Sequence, residues 1–471
     1  MLFNSSIFLI FGLIFFILWQ YLKDNTNSRL SLITISSFIF YGWWDWRFLF
    51  LIVGSGMLDY FVGLLISKYP NKRKLLLLIS IFGNIGSLAA FKYSGFIFGN
   101  IDILLSSFGI NTCLKCNIPD FMLITPVGIS FYTFQSMSYT IDIYRKELKP
   151  TKNIIQFFAY LSMFPQLVAG PIVRAKDLLP QLLVKPKTTE QERWEGLRLI
   201  VHGYFKKMVL ADNLANIVNH AFVQENLSGS TIYWWLAITA FAFQIYFDFS
   251  GYSDIARGLA KWMGLNFNLN FNHPYTSLSL KEFWTRWHIS LSTWFKDYVY
   301  IPLGGSKKGK ARANINMWIT MLVSGLWHGA NWTFVIWGAI HAFFLHLERS
   351  FNWPKYFLNN SFTRIILLII ITMQVWVAWV FFRAADLSQA FYIVSKMFSF
   401  NNDLNIPLKI TDLVFISMGI FREFWIYHKL NKKSFYPKSW SFAVEVGLMS
   451  IFIIMIIFLR GPGSQFIYFQ F

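Results

Sequence analysis

Charge is scarce in this chain. Only 14% of its residues are charged, against about 25% in a soluble domain. A further 55% are hydrophobic, and the mean hydropathy is +0.45. That balance excludes an ordinary soluble globular fold. Acidic residues are scarcer than basic ones, with 23 Asp and Glu against 42 Lys and Arg, which leaves a net charge of +19. Such an excess invites a nucleic-acid reading. The Lys and Arg, however, gather in short loops between apolar runs, the positive-inside pattern of a polytopic membrane protein. The charge therefore reports orientation and contact with anionic lipid, and no nucleic-acid partner is expected. Cysteine is nearly absent. Cys113 and Cys116 are the 2 present, with no second pair to complete a structural zinc site. They are consistent with a short-loop disulfide or with two thiols. A Walker loop is missing, which removes the case for an ATP-driven pump. His-Glu-x-x-His and G-x-S-x-G patterns are missing too, which removes the case for a zinc protease or a serine hydrolase elbow. With no short-period repeat and no low-complexity linker, one membrane domain is expected over residues 1–471.

Long apolar runs are what the chain does have. Candidate spans cover residues 6–22, 30–45, 47–66, 74–91, 121–141, 196–222, 231–251, 364–382, 408–428 and 440–460. Each is long enough to cross, or nearly cross, about 30 Å of hydrocarbon as a helix. The first run has no preceding basic residue and no small-residue cleavage site, so it reads as a retained span rather than a signal peptide. An external N-terminus then puts the basic loops Lys68–Lys74, Arg145–Lys152, Arg174–Arg198, Lys307–Arg312 and Lys429–Lys438 in the cytoplasm, and ten spans return the C-terminus outside. Residues 155–172 are interrupted by Pro165, Gly170 and Pro171 and read as re-entrant or interfacial. Residues 250–313 are too polar to span. They predict a cytoplasmic-side loop, with Asn266, Asn268, Asn270 and Asn272 alternating with apolar residues, followed by an amphipathic helix from about Ser279 to Tyr298. Residues 314–345 predict a broken, re-entrant helix interrupted near Ser324-Gly325 and Gly329, an arrangement tolerated at membrane depth only where it is buried in protein or lines a cavity.

His328 falls at that break. An ionisable side chain at bilayer depth costs a few kcal/mol or more and is a functional-site candidate by default. Apolar surroundings favour neutral imidazole, the form a general base requires. Trp327 and Trp332 can wall the site. His288 lies among Trp284, Trp287 and Trp294, with Lys281, Arg286 and Lys296 adding positive charge, as at the mouth of a tunnel for an anionic donor. Asp248 and Asp254 are expected to pair with Arg257 or to orient a histidine. The basic run Lys307, Lys308, Lys310 and Arg312 reads as orientation signal. No metal site is expected, because His328, His341 and His346 do not have metal-ligand spacing.

Five stretches resemble the membrane-bound O-acyltransferase family. They are Phe283–Gly305 (FWTRWHISLSTWFKDYVYIPLGG), Ser324–Phe334 (SGLWHGANWTF), Thr125–Gln135, Gln166–Arg174 and Gln244–Arg257. The resemblance runs nearly the full chain and is strongest to the bacterial branch that O-acetylates exported polysaccharides. Teichoic-acid D-alanyl transferases share the two histidine motifs. The resemblance implies an all-α polytopic fold of about 10–12 transmembrane or re-entrant helices around a thin centre, with a cytoplasmic funnel to the catalytic histidine. It carries the catalytic role to His328 and the second motif position to His288. Trp284, Arg286, Trp287, Trp327 and Asn331 are expected along the tunnel. The tail Phe466–Phe471 resembles an aromatic-tyrosine segment, with Tyr468 in the position of an acyl carrier. The implied protein binds no cofactor. It uses an acyl thioester, acetyl-CoA or a carrier-bound acyl group, and works in the bacterial inner membrane with an extracytoplasmic O-acetyltransferase partner and a polysaccharide acceptor. Non-catalytic alternatives are a flippase for an acylated carrier and an export scaffold.

Overall fold

The computed structural model describes residues 1–223, 230–358, 360–400, 408–431 and 441–469. Their regular structure is helical, with no strand among them. Among the described residues, four stretches are long and apolar enough to cross a membrane: Thr26–Lys68, Pro70–Ser107, Thr231–Trp262 and Ser361–Arg383. Ser6–Leu22 and Phe442–Phe458 are shorter apolar helices. Exposed Leu9, Ile10, Leu13 and Ile14 on the first helix form the kind of apolar outer surface that hydrocarbon covers.

The chain divides into two compact units. The first, Met1–Leu197 with Ile255–Asn268, begins with α1 (Ser6–Leu22), α2 (Thr26–Asp45), α3 (Leu49–Lys68), α4 (Arg73–Leu88) and α5 (Ser94–Ser107). Asp45, extended at φ −160°, separates two spans inside the stretch Thr26–Lys68. α5 extends helical structure well beyond the expected end of the fourth span. The span expected at 121–141 is instead a short α6 (Asp120–Leu123) followed by α7 (Ile129–Tyr144), because Pro126 and the left-handed Gly128 (φ +73°) interrupt it. The interrupted segment 155–172 forms two short helices, α8 (Ile154–Leu161) and α9 (Phe164–Leu167), before α10 (Ala175–Leu183). Cys113 and Cys116 are joined by a disulfide.

α11 (Glu190–Tyr204) leads into a π-helical turn, Phe205–Ala211, and α12 (Asp212–Ala221). α13 (Thr231–Trp262) is continuous, so the polar loop begins near residue 263 rather than 250. The second unit, Arg198–Asp254 with Leu269–Phe471, contains the two histidine motifs. The amphipathic helix expected over 279–298 is broken into α14 (Leu280–Arg286) and α15 (Ile289–Phe295). His288 occupies the break with a left-handed backbone, φ +40°. α16 (Gly309–His328) and α17 (Trp332–Phe351) follow, then α18 (Ser361–Arg383), α19 (Leu387–Met397), α20 (Ile410–Asn431) and α21 (Ser441–Phe458).

Residues 314–345 are thus interrupted at Gly329, whereas α16 runs unbroken through Ser324-Gly325. Gly329 is extended, and Asn331 caps α17 by accepting from the Thr333 amide at 3.0 Å. Gly325 has a packing role. A Cβ there would collide with the Phe334 carbonyl, and one on Gly338 would collide with that of Met321. These glycines let α16 and α17 pack backbone to backbone, which holds His328 at the tip of a tight helical hairpin.

Candidate active site

His328 is the last residue of α16 and only 4% exposed. Its ring is enclosed by aromatic neighbours, with Trp327 and Trp337 at 5.0 Å between ring centroids and Phe382 at 5.2 Å. The remaining side is occupied by Tyr468, whose hydroxyl is 3.4 Å from His328 Nδ1. The pair is separated by 140 residues of sequence. Burial pushes the Tyr468 phenol well above its ordinary range, so it is neutral and becomes a nucleophile only when a base takes its proton.

His288 lies on another side of the same phenol. Its ring centroid is 6.5 Å from that of Tyr468, and Phe249 packs against both, at 4.5 Å from His288 and 4.7 Å from Tyr468. The left-handed turn at His288 is held by Asn270. The Asn270 carbonyl accepts from the Ile289 amide at 2.8 Å. Its Oδ1 accepts from the Ser290 amide at 3.2 Å and hydroxyl at 2.9 Å, and lies 3.2 Å from His288 Nδ1. An oxygen at that position requires Nδ1–H to donate and assigns the lone pair to Nε2. His288 is fully buried and sits outside the spanning helices. Desolvation lowers its pKa to about 3, so the ring is neutral at physiological pH.

Other expected site residues are used differently. Asp248 does not orient a ring. One carboxylate oxygen is 2.9 Å from Lys207 Nζ, and the other accepts from the Ile467 amide at 2.8 Å. Asn270 takes the ring-orienting place instead. Asp254 pairs with Lys206 at 2.6 Å. Arg286 is tied to Glu282 at 2.5 Å and to Thr276 at 2.9 Å. Asn331 caps α17 and donates to the Ala385 carbonyl at 3.0 Å. Trp287 is buried, stacked on Phe283 at 5.6 Å and near Trp379 at 5.0 Å. Trp284 lines a cavity of about 410 Å3, together with Lys281, Lys296, Ser292 and Ser324. The Trp284 ring is 5.8 Å from that of Trp337, which in turn touches His328. No cluster of three or more potential metal ligands occurs among the described residues. Lys206, Lys207 and Asp212 were not anticipated, although charged residues inside the apolar run 196–222 are a recognisable signal.

The fold and site define a multi-pass membrane protein in which a tyrosine hydroxyl lies beside a buried histidine. The family model for the membrane-bound O-acyltransferases matches residues 144–385, and the chain belongs to that family. It is an O-acyltransferase. It is 40% identical over 410 residues to the probable alginate O-acetylase AlgI of Pseudomonas putida, covering 85% of this chain and 81% of that one. It is 33% identical over 437 residues to the peptidoglycan O-acetyltransferase of Helicobacter pylori, covering 85% of this chain and 80% of that one. Similarity to the teichoic acid D-alanyltransferase of Streptococcus thermophilus is 30% over 251 residues, covering 51% of this chain and 60% of that one.

Proposed function

We propose that the protein takes an acetyl group from a cytoplasmic thioester and passes it through Tyr468 to a hydroxyl on an exported or cell-wall polysaccharide. The observation that carries this reading is the Tyr468 hydroxyl 3.4 Å from His328 Nδ1. In the first transfer His328 Nδ1 accepts the phenolic proton. The phenolate oxygen attacks the thioester carbonyl carbon, the C–S bond breaks, and the thiolate leaves and is protonated. In the second transfer an acceptor hydroxyl attacks the tyrosyl ester, its proton passes to the imidazole, and the tyrosine oxygen leaves with the proton His328 returns. His288, neutral and on another side of the phenol, is assigned to steady the second hydroxyl. The cavity lined by Lys281, Lys296 and Trp284 suits a thioester arm with an anionic carrier.

The similarity to alginate and peptidoglycan O-acetylating proteins supports acetyl as the group and a polysaccharide as acceptor. The same reading puts the chain in the bacterial inner membrane, beside an extracytoplasmic transferase that completes delivery. The test is base-labile acetate on envelope and exported glycans in cells carrying the native chain, His328→Ala, Tyr468→Phe or a deletion, at matched membrane levels. Acetate lost in both variants as in the deletion supports the relay. Unchanged acetate with lost D-alanyl ester redirects the reading to D-alanyl transfer. Transport of an intact acylated carrier, with no thiol released from the donor, identifies a flippase instead.

A further inference from the structure

The segment that carries Tyr468 is held mainly by its backbone. After α21 the chain turns back along the π-helical turn Phe205–Ala211. The Gly461 amide donates to the Met208 carbonyl at 2.8 Å, and Asn213 donates to the Leu459 carbonyl at 2.9 Å. Gly461 is needed for this approach, since a Cβ there would lie 2.7 Å from the Asp212 carbonyl carbon. Farther on, Lys207 Nζ donates to the Ser464 carbonyl at 3.1 Å, and the Ser464 hydroxyl donates to Asp212 Oδ1 at 2.6 Å. The Ile467 amide donates to Asp248. Residue 468 follows immediately.

Three oxygens surround the Lys207 ammonium: Asp212 Oδ1 and Asp248 Oδ1, each at 2.9 Å, and the Ser464 carbonyl. An ammonium has three N–H donors and no acceptor, so this arrangement uses all of them. The side chains of Lys207, Asp212 and Asp248 are 9%, 2% and 1% exposed. Two carboxylates around one cation leave an excess of negative charge in a buried place. The tail answers it with the Ile467 N–H on Asp248 and the Ser464 hydroxyl on Asp212. The charged cluster and the tail therefore complete each other, since a buried carboxylate and a buried peptide group each require a partner. The π-helical turn supplies the geometry. It offsets the helix so that Lys206 reaches Asp254 while Lys207 reaches Asp248, and such turns often occur at functional sites. Gly251, between the two aspartates on α13, admits the turn closely, with a Cβ there only 2.8 Å from the Gly203 carbonyl.

We propose that Lys207, Asp248 and Asp212 form a clamp that binds residues 461–467 and are positioning residues that set Tyr468 against His328. The assignment to catalysis rests on the tyrosine relay proposed above. The clamp itself rests only on the contacts just described. Asp248 couples two tasks, because the next residue on α13, Phe249, packs on both Tyr468 and His288. Release of Ile467 thus displaces the phenol from both imidazoles without altering any group of the donor cavity.

The test uses the full chain in native membranes, with Cys113→Ser and Cys116→Ser to remove the native cysteines. Tyr468→Cys then reports tail position through its rate of labelling by a maleimide. Asp248→Ala opens the clamp from the helix side, and Ile467→Pro removes the tail's N–H without touching a buried charge. In Tyr468 backgrounds the same two changes are followed by thiol release from acetyl-CoA. The clamp predicts severalfold faster labelling in both variants. A phenol displaced by an ångström also predicts a turnover lower by about a hundredfold with KM for the donor unchanged. Native labelling in both variants at normal membrane level overturns the proposal, and Ile467→Pro decides the matter if Asp248→Ala fails to accumulate. Faster labelling combined with full activity of Tyr468→Phe supports the clamp and sinks the relay.

Discussion

Tyr468 and His328 meet hydroxyl to imidazole at 3.4 Å, one from the C-terminal segment and one from the tip of the α16–α17 hairpin. The histidine is walled by Trp327, Trp337 and Phe382, so the phenol is the polar group presented to it from the tail.

A general base in this position contributes about 10²- to 10⁴-fold to rate. His328→Ala is expected to lower thiol release from acetyl-CoA by that order with the protein still folded. Tyr468→Phe removes only the hydroxyl and is expected to do the same. Turnover by Tyr468→Phe equal to native would take the phenol out of the acyl path.

The pair of Lys206 with Asp254 is largely buried, with side-chain exposures of 9% and 14%. Removing one partner leaves a buried charge, at a cost of about 3–5 kcal/mol. Lys206→Met should therefore lower the unfolding temperature of the detergent-solubilised protein substantially. Lys206→Met combined with Asp254→Leu should recover much of it. A double variant as unstable as the single one would contradict this account.

Asn270→Ala removes the oxygen that receives the Ser290 amide and faces His288 Nδ1. Leaving buried donors unmade costs about 1–3 kcal/mol. The expected result is a lower unfolding temperature together with reduced activity, since the left-handed turn that aims His288 loses its brace. Normal activity at reduced stability would assign Asn270 to the fold alone.

His288 also predicts a pH effect of definite sign. Its pKa in the folded protein is depressed to about 3 by burial, whereas an unfolded histidine titrates near 6.5. Between those values the unfolded chain binds the extra proton, so stability falls as pH drops from about 6.5 toward 3 and is fully present above that window. His288→Gln should flatten this part of the stability–pH curve, measured by thermal unfolding from pH 7 to pH 4. An unchanged slope would show that other groups account for it.

Much of the membrane character is local and could be read before any coordinates. Apolar length marks α1, α13 and α18, and Gly329 after His328 marks the break between α16 and α17. The interruption at Asp45 matches the gap left between the spans 30–45 and 47–66, whereas the one at His288 was harder to see. Asp45 stops a helix inside an apolar run through its own backbone, and His288 breaks an amphipathic pattern whose periodicity continues across it. Asn270 stood out only as one of four alternating asparagines. Its role depends on the fold bringing it beneath the turn at His288.

By itself the sequence determined that the chain is a helical membrane protein with two motif histidines, because apolar runs, helix breakers and motifs are properties of neighbouring residues. Tertiary structure decided which groups meet. It joined Asp248, expected to pair with Arg257 or to orient a histidine, to Lys207 and the Ile467 amide, paired Lys206 with Asp254, and brought Tyr468 to His328 across 140 residues. Those meetings follow from buried charges and peptide groups that must find partners away from water. Such a requirement reveals that a partner exists, while only the packed chain supplies its identity.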